Sequence, residues 1–347
     1  MKSLKIAVLI DELVPGSAPK VVGQTVKGLN KLGHQCEALV YIDNDKADDK
    51  ICKCHLEGIK IRYLLGKRPW WDFKFPGFAF FSLHHLLGFF LISSLPEYDI
   101  VIANTITSIF AAWGLKLFKK IPYIFYIHCD PNIWLLDKLA IKFANASIVS
   151  GKLHKQRFAK IENKNLQMLV LGCFPMEEFI SYDKREKAVI IFDRWDIGNN
   201  PGKFLAELIS LDKRDYKIKI GGIWHPVELK FEFMERVANT SLHNKIEFLG
   251  ALDEDGIKKE CSKVVLHYHH NQEAFGMSTL EAAACGCCII IPDGSGVADL
   301  FSCIHDSSYL NMKNVAQYFG KMNWEIAKQY TWDNYAKNLE RIIQCAI

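Results

Sequence analysis

The sequence predicts an α/β protein built from two doubly wound domains, each around a mostly parallel sheet. Short runs rich in valine and isoleucine alternate with helix-length segments from Leu4 onward, which is the pattern of parallel strands joined by helices. The same alternation begins again at Ala188. The length of 347 residues also favours two domains, because a single hydrophobic core stops growing at about 250 to 300 residues.

The first half predicts five strands, with a helix between each strand and the next. The strands are expected at LKIAVLI, CEALVY, DIVIAN, PYIFYI and ASIVS, and the first helix over Val21 to Leu32. In a parallel sheet the carboxyl ends of neighbouring strands share one edge, where ligands bind. We therefore expect Asn104-Thr105, His128 and Asp130, which follow such strands, at that edge. Loop capping explains the Asn, Thr and Asp equally well.

The second half predicts five more strands, at AVIIF, YKIKIGG, KIEFLG, KVVLHYH and CCIII. Helices are expected near Pro201 to Leu211, Pro226 to Asn239, Asp253 to Glu260 and Met277 to Cys285. The segment from Phe179 to Lys187 is polar and charged, so it is predicted to link the two domains. Two domains of this class place the expected ligand site in the cleft between them.

Composition and charge favour an enzyme that acts on small molecules. The chain is 50% hydrophobic and 24% charged, with 22 Gly and 11 Pro, which excludes disordered, collagen-like and coiled-coil classes. The net charge of +4 is small for a nucleic-acid-binding protein. Residues 1–183 carry 23 Lys and Arg against 17 Asp and Glu, so an anionic partner would contact that half.

The start of the chain and its cysteines predict a cytoplasmic protein. Met1 leads directly into an apolar strand with no signal-like segment, which disfavours a periplasmic binding protein. The 11 cysteines are irregularly spaced, and Cys287 and Cys288 are adjacent, so no disulfide framework is expected.

Two clusters of potential metal ligands lack the spacing of a zinc site. They are Cys52 to His55 and His267 to His270, and no second pair follows at the usual distance. We expect His269-His270 at the rim of a ligand pocket instead. The Asp43/Asp45 pair lies in an acidic loop, and the Asp253/Asp255 pair is typical of a helix N-cap. No metal site is predicted.

The segment QEAFGMSTLEAAACG, residues 272–286, has the most informative functional pattern. Seven residues separate Glu273 from Glu281. Gly276 allows backbone amides to approach a ligand closely, and the helix that begins after it offers unpaired N–H groups. Glu281 can accept hydrogen bonds from a ribose diol, although a solvated helix carboxylate would have the same sequence, and Gly276 can be a simple N-cap.

Through this segment the chain resembles the family-four retaining glycosyltransferases of GT-B fold, the glycosyl transferases group 1. Further segments match in the same order: Gly33-His34, SIVSGKL at 147–153, VLGCFPMEEF at 170–179, FDRWD at 192–196, NKIEFLGALDEDGI at 244–257 and YTWDNYAKNLERI at 330–342. The resemblance implies two Rossmann-like domains that face across a cleft. They are an acceptor-side domain, 1–183, and a nucleotide-sugar-binding domain, 184–325, with a C-terminal helix, 326–347, packing back toward the first.

The resemblance implies transfer of a sugar, with retention, from a nucleotide-diphosphate-sugar donor to a glycan or lipid-linked acceptor, without a metal or another cofactor. The implied catalytic residues are Glu273, Arg194 and His128, and the implied donor-binding residues are Glu281, Phe275, Gly276, Met277, Ser278, Asn199, Lys203 and Gly16. Arg194 can hold two phosphate oxygens at once. His128 would face the donor sugar, although a lone His is more often structural.

Four positions depart from the family pattern. The early glycine pair is replaced by GSAPK, which keeps only Gly16; Asn199 replaces a basic residue; His269-His270 replace Pro-Ser; and Asp299 replaces a late Glu. Lys203 can supply the missing charge, although a solvent-facing helix Lys fits the same position. The alternative function is therefore a weakened GT-B subunit that binds a nucleotide-sugar or a partner enzyme without turnover.

The stretch from Pro69 to Leu95 is unusually apolar. Phe78 to Leu95 contains eighteen uncharged residues, preceded by Trp70-Trp71 and by basic residues. A buried helix that is hydrophobic on all sides and a peripheral contact with a membrane or lipid acceptor explain this stretch equally well. The second interpretation predicts contact with the inner membrane face through residues 70–95.

Overall fold

The computed structural model describes residues 2–13, 16–43, 54–67, 83–90, 95–128, 134–158, 161, 165–211, 216–304 and 313–347. The chain forms two compact units. Unit 1 comprises Met1–Gly172 and Trp332–Ile347, and unit 2 comprises Cys173–Thr331. Each unit is built around a parallel sheet with helices between its strands, which confirms the predicted α/β class.

The described part of unit 1 contains a seven-stranded sheet in the order β3-β2-β1-β4-β5-β6-β7. Its strands are β1 (Lys5–Glu12), β2 (Gln35–Ile42), β3 (Ile61–Tyr63), β4 (Ile100–Ala103), β5 (Tyr123–Ile127), β6 (Ala146–Val149) and β7 (Leu166–Met168). All neighbouring pairs are parallel. The sequence did not predict β3 and β7, because these three-residue edge strands lack a long run of β-branched residues.

The described part of unit 2 contains a six-stranded parallel sheet in the order β10-β9-β8-β11-β12-β13. Its strands are β8 (Glu186–Trp195), β9 (Lys217–Trp224), β10 (Ile246–Gly250), β11 (Val264–Tyr268), β12 (Cys288–Ile290) and β13 (Cys303–Ile304). Strand β8 is central and its middle is buried, which explains the continuous apolar run AVIIF.

The described α-helices are α1 (Ser17–Lys31), α2 (Leu83–Gly88), α3 (Ile109–Lys119), α4 (Trp134–Phe143), α5 (Lys152–Arg157), α6 (Pro201–Leu211), α7 (Glu228–Ala238), α8 (Glu254–Lys263), α9 (Met277–Ala284), α10 (Lys313–Ala327) and α11 (Trp332–Ala346). Helix α1 begins before the predicted Val21, because the first turn of a helix tolerates Pro19. Asp253 caps α8 by accepting a hydrogen bond from the Gly256 amide at 2.8 Å, as the sequence predicted.

Helix α11 packs against α1 within unit 1. The Thr25 and Tyr335 hydroxyls are hydrogen-bonded at 3.0 Å, and His34 Nε2 lies 3.0 Å from Glu340 Oε1. The helices approach closely at Gly28, where an added Cβ would lie 2.6 Å from the Ala336 side chain. The helix begins at Trp332 rather than at 326, because Tyr330 is held in unit 2, where its carbonyl accepts a hydrogen bond from the Cys173 amide at 2.7 Å.

The polar segment from Phe179 to Lys187 is not the predicted linker. Tyr182 is buried, and its hydroxyl donates to the carbonyls of Val265 and Gly286. Arg185 is also buried and donates to the carbonyls of Ile180, Val264 and Cys285. The polarity of this segment serves internal hydrogen bonds, so unit 2 already begins at Cys173, ahead of the predicted boundary between 183 and 184.

The apolar stretch from Pro69 to Leu95 is described only in part. Residues 83–90 form helix α2 and a following turn, and most of the remaining stretch, including Trp70 and Trp71, lies outside the described residues. In the part of the chain that the structure describes, no helix is both long enough and apolar enough to cross a membrane.

Replacing Arg185 with alanine should destabilise unit 2 by about 3 kcal/mol, because three buried carbonyls would lose charge-assisted hydrogen bonds. Equilibrium unfolding in urea would measure the loss. The matched control is Lys184→Ala, an exposed neighbour whose removal should change the free energy of unfolding by less than about 0.5 kcal/mol. Equal effects of the two substitutions would mean that residues 179–187 behave as a linker after all.

Candidate active site

The candidate site of unit 2 lies at the carboxyl ends of β8 and β11, which are neighbours in the sheet. The strand order reverses here, since β9 and β10 follow on one side of β8 while β11, β12 and β13 follow on the other. Such a reversal leaves a crevice beyond the strand ends, where α/β proteins bind ligands. Most of the predicted site residues lie at the end of β8, in the two loops that leave these strands, or in the helices that follow, α6 and α9.

The β8 loop, residues 193–199, comprises the end of β8 and the turn after it, and two aspartates organise it. Asp193 Oδ1 accepts hydrogen bonds from the Arg194 amide at 2.7 Å and from Asn199 Nδ2 at 2.9 Å. Asp196 Oδ1 accepts from the Asn199 amide at 3.0 Å, and the Asn199 side chain also donates to the Arg194 carbonyl. Asn199 therefore holds the turn together, and its predicted contact with a donor stays a prediction.

Arg194 is the exposed cation of this loop. Its side chain is 62% exposed, and its Nε donates to Asp196 Oδ2 at 2.7 Å. This contact helps Asp196 to orient the guanidinium, and it uses Nε, so the two Nη groups are not needed for it. The fork of the two Nη groups matches the spacing of two phosphate oxygens.

The loop after β11 turns into helix α9 at Gly276. This residue is the N-cap of α9 and has a φ of +102°, a conformation that favours glycine. An added Cβ would lie 3.1 Å from both Glu273 Oε2 and Val297 Cγ1. The Gly296 amide donates to the Glu273 carbonyl at 3.0 Å, so two glycines allow the close packing that fixes Glu273.

The remaining predicted residues of this segment divide into core and surface. Phe275 is buried, so its side chain belongs to the core and only its backbone is available to a ligand. Met277, Ser278 and Glu281 are half-buried in α9, and Glu273 precedes the same helix with a 37% exposed side chain. The amides of the first turn of a helix have no intrahelical acceptor, so this end of α9 favours an anionic or polar group.

Three histidines of β11 and the loop after it, His267, His269 and His270, are buried, whereas the sequence predicted His269 and His270 at a pocket rim. His269 Nε2 lies 3.6 Å from Glu273 Oε2, and the His270 ring stacks on Trp195 with a centroid distance of 5.8 Å. Burial lowers the pKa of His267 to about 3 and also lowers that of His270. Burial raises the pKa of Asp193 to about 6. The physical reason for the burial is that the aromatic core beside α6 continues past the end of β11, where His270 also packs on Phe204.

Lys203 points along the exposed side of α6. Its Nζ lies 3.7 Å from Glu207 Oε1, one helical turn away, and its side chain is 58% exposed. Glu207 also accepts a hydrogen bond from the Tyr268 hydroxyl at 2.6 Å. This geometry fits the interpretation of Lys203 as a solvent-facing helix residue.

Unit 1 places Gly16, Asn104 and His128 after the neighbouring strands β1, β4 and β5, at the carboxyl edge of its sheet. His128 Nε2 lies 2.6 Å from Asn104 Oδ1, and its ring stacks on Tyr126 at 4.2 Å. Burial lowers the pKa of His128 to about 3, so the ring is neutral at pH 7. Gly16, the exposed N-cap of α1, has a φ of +152°. Asp130 lies outside the described residues.

The described residues contain no group of three or more His, Cys, Asp and Glu side chains arranged to hold a metal ion. Cys52 and Lys53, at the start of the first candidate cluster, lie outside the described ranges. In the second cluster, His267 hydrogen-bonds Thr279 Oγ1 at 3.2 Å and His269 hydrogen-bonds the Asn271 carbonyl at 2.9 Å. These histidines thus have protein partners.

Residues 200–345 match the model of the family described as Glycosyl transferases group 1. The match covers most of unit 2 and nearly all of α11. The match begins in the turn that Asn199 closes and includes Glu273, Gly276 and Glu281. A search of curated proteins by sequence finds no significant match.

Solved structures of glycosyltransferases share the fold. The Anabaena protein HepE in complex with UDP and glucose is 16% identical, with 98% of this chain and 99% of that chain covered and a TM-score of 0.76. Staphylococcus aureus TarM, as a variant in complex with fondaparinux, alpha-GlcNAc-glycerol and UDP, is 13% identical, with coverages of 98% and 99% and a TM-score of 0.76. Sucrose-phosphate synthase from Thermosynechococcus elongatus is 14% identical, with both coverages 98% and a TM-score of 0.75. The predicted GT-B class with Rossmann-like domains is confirmed.

Within this candidate site, the sequence missed the residues that support the predicted ones. Asp193 and Asp196 flank Arg194 in the FDRWD segment, and a carboxylate three residues before an amide is a known turn-capping signal that could have identified Asp196. No comparable signal marks the pairing of Asp193 with His269, since the two residues are far apart in the sequence.

Acid should destabilise unit 2 through His267. The pKa of His267 is about 3 in the folded state and about 6.5 in the unfolded state. As pH falls from 6.5 toward 3, the unfolded chain therefore gains a proton on His267 before the folded protein does, and the free energy of unfolding decreases. Between pH 7 and pH 4.5 we expect a loss of about 2 to 3 kcal/mol from this residue. Urea unfolding at both pH values should show a smaller loss in His267→Gln than in the wild type. Parallel losses would contradict a buried neutral ring. The raised pKa of Asp193 increases the free energy of unfolding as pH falls. Asp193 is present in both proteins, so its effect cancels when their losses are compared.

Proposed function

We propose that the chain is a retaining glycosyltransferase that moves a hexose from a nucleotide-diphosphate-sugar to a glycan or lipid-linked acceptor in glycan biosynthesis. One observation carries the proposal. Strands β8 and β11 are neighbours in unit 2, so the β8 loop with Arg194 lies beside the loop that contains Glu273 and leads into α9. HepE binds UDP with glucose, and TarM binds UDP, which supports a uridine-linked donor as the first to test.

In this proposal each residue of unit 2 meets one part of the donor. Glu281 accepts hydrogen bonds from the ribose, Arg194 binds the diphosphate, and Glu273 with the backbone of residues 275–278 binds the sugar. Negative charge develops on the diphosphate as the glycosidic bond breaks, and preorganised donors lower the barrier by stabilising that charge. Arg194 and the amides of α9 supply this stabilisation, so the proposed step uses no metal.

The role that the resemblance assigns to His128 stays part of the proposal. A neutral imidazole hydrogen-bonds a sugar hydroxyl without competing for the phosphate, and the low pKa of His128 keeps its ring neutral. Gly16 begins α1, the long first helix of unit 1, and carries no side chain that would exclude a ligand from that end.

A specific observation favours one alternative function. Asn199 stands where the resemblance implies a basic residue, and its side-chain Nδ2 donates hydrogen bonds to Asp193 Oδ1 and to the Arg194 carbonyl. Lys203, the nearest lysine in the sequence, lies beside Glu207. A diphosphate site with one cation fewer suits a subunit that binds a nucleotide-sugar without turnover.

Removing each glutamate should affect a different step of the reaction. Glu281→Ala should weaken UDP binding about 10- to 100-fold in calorimetry, because hydrogen bonds to a charged group contribute about 1.5 to 3 kcal/mol. Glu273→Gln should leave UDP affinity unchanged and lower kcat about 100-fold, because its contacts strengthen in the transition state. Glu235→Gln, on the exposed face of α7, is the control and should behave as the wild type.

The same assay distinguishes the enzyme from the binding-only subunit. With UDP-, GDP-, ADP- and dTDP-linked sugars and a lipid or glycan extract, an enzyme releases nucleoside diphosphate, and Arg194→Ala abolishes this release while nucleotide binding persists. A wild type that binds donor without turnover, together with an Asn199→Lys variant that turns over, would establish the binding-only function. If Glu281→Ala kept wild-type UDP affinity and Glu273→Gln kept wild-type kcat, the assigned site would be refuted.

We also propose that unit 1 contacts an anionic membrane surface, which suits a lipid-linked acceptor. On helix α3, Leu117 and Phe118 are 66% and 58% exposed. The Phe118 ring packs on Phe89, and the α3 residue Trp113 packs on the half-exposed Phe143. Lysines at 116, 119, 120 and 142 belong to or follow the same helices, and no acidic residue interrupts α3. Apolar side chains with a lysine rim bind anionic lipid.

Substituting Leu117 and Phe118 with serine should reduce sedimentation of the protein with phosphatidylglycerol vesicles severalfold at low salt, because apolar burial and charge act together. The matched control is Ile197→Ser, a 77% exposed apolar residue of unit 2. Trp70→Ser with Trp71→Ser tests the contribution predicted for residues 70–95. Absence of wild-type sedimentation, or equal sedimentation with phosphatidylcholine vesicles, would eliminate the membrane contact.

A further inference from the structure

One buried histidine lies between two carboxylates at the base of the Glu273 loop. His269 Nε2 is 3.6 Å from Glu273 Oε2 and 3.9 Å from Asp193 Oδ2. The His269 side chain is 3% exposed, whereas that of Glu273 is 37% exposed. An interior imidazole therefore faces a carboxylate that reaches the surface of the site and a second carboxylate from the end of β8.

The hydrogen bond on the other side of the ring determines which nitrogen carries the proton. His269 Nδ1 lies 2.9 Å from the Asn271 carbonyl, and a carbonyl only accepts, so Nδ1 donates. In a neutral ring Nε2 would then direct a lone pair at two negatively charged oxygens. A proton on Nε2 turns this repulsion into attraction toward both.

Asp193 is built to support such a proton. Its Oδ1 is occupied by the Arg194 amide and Asn199 Nδ2, whereas Oδ2 is buried without a hydrogen-bond partner among the described residues. Burial, reinforced by the charge of Glu273, raises the pKa of Asp193 to about 6. A buried carboxylate is costly unless a cation lies beside it, and His269 is the adjacent group that can become one.

Other titratable groups surround this arrangement. Asp196 of the β8 loop adds negative charge near Asp193, and His270 Nδ1 lies 3.9 Å from Asp193 Oδ2. The His267 ring of β11 is 6.4 Å from that of His269. Lys203 and Glu207 of α6 act on His270 with opposite signs. Among these neighbours, Asp193 and Glu273 are the two carboxylates within 4 Å of His269 Nε2.

We propose that His269 is a positioning residue that carries a proton on Nε2 between Asp193 and Glu273 and thereby orients the Glu273 carboxylate. The proton is exchanged with solvent and is not consumed. The inference rests on the proposed function for one point, the role of Glu273 in binding the donor sugar. Loss of the proton at alkaline pH leaves Glu273 beside a lone pair and a second carboxylate, so its orientation is lost.

The proton itself can be measured without any donor. In protein labelled with carbon-13 at histidine Cε1, His269→Gln identifies the His269 resonance by its absence. We expect the wild-type His269 Cε1 signal at pH 7 to be that of an imidazolium, and Asp193→Asn or Glu273→Gln to move it toward the signal of a neutral ring. Asp255→Asn, an exposed carboxylate at the start of α8, is the control and should leave the signal unchanged.

A neutral His269 ring in the wild type at pH 7, or a signal that neither carboxylate variant moves, would overturn the proposal. If Asp193→Asn does not fold, the wild-type signal and Glu273→Gln still decide, because the Glu273 side chain is partly exposed. Circular dichroism of each variant establishes that the folded protein is being measured.

The kinetic consequence separates positioning from a purely structural role. With an active donor, the wild type should show an alkaline limb in its kcat/KM profile, and Asp193→Asn should move that limb to lower pH. His269→Gln should lower kcat and abolish the limb while UDP affinity stays within about twofold of the wild type. His267→Gln removes an equally buried ring that faces Thr279, and it should retain the limb.

The two measurements keep this inference distinct from the proposed function. A protonated His269 ring at pH 7 in a protein that transfers no sugar would overturn the glycosyltransferase proposal and retain the proton site. A neutral ring in an active enzyme would overturn the proton site and retain the proposed function. Equal loss of UDP affinity and kcat in His269→Gln would show that the ring supports the fold and does not position Glu273.

Discussion

The parallel pairing of β8 with β11 is the constraint on which the candidate site depends. His267 pairs with Ile190 in this register, and β8 continues to Trp195 whereas β11 ends at Tyr268. The end of the longer strand therefore lies beside the loop that leaves the shorter one. That offset places Asp193 next to His269 and the Arg194 turn near the start of α9. A shift of one residue would turn each side chain of the strand to the opposite face of the sheet and separate these groups.

The site combines exposed binding groups with a buried polar support. The Arg194 and Glu273 side chains reach solvent, whereas those of Asp193, His269 and His270 are more than nine-tenths buried and are hydrogen-bonded. Preorganisation of this kind costs stability, because buried polar groups must be satisfied, and it favours catalysis because the exposed groups need not reorganise. The match to the model of Glycosyl transferases group 1 includes His269, His270 and Glu273 but begins after Asp193 and Arg194. HepE and TarM, which share the fold, are bound to UDP in their solved structures.

Unit 1 follows the same construction with different chemistry. Strands β4 and β5 are followed by Asn104 and His128, a hydrogen-bonded pair with a neutral imidazole, and α11 packs on α1. The contact at Gly28 requires the absence of a side chain. The Tyr335 hydroxyl is hydrogen-bonded to that of Thr25, and its ring stacks on Tyr126. Unit 1 thus presents a neutral pair after β4 and β5, while unit 2 presents a charged cluster after β8 and β11.

The amino-acid sequence by itself determined most strands, most helices and the residues expected to meet a ligand. Valine and isoleucine runs predict buried parallel strands, and the Glu273 to Glu281 spacing with Gly276 predicts the loop and helix α9, because these patterns act over a few neighbouring residues. Only the tertiary structure decided that Asn199 closes a turn, that Arg185 holds three carbonyls and that Asp193 meets His269. These outcomes depend on burial and on strand register between residues far apart in the chain. A sequence pattern shows which groups can carry charge, and the fold determines which of them lose their water and must therefore find a partner.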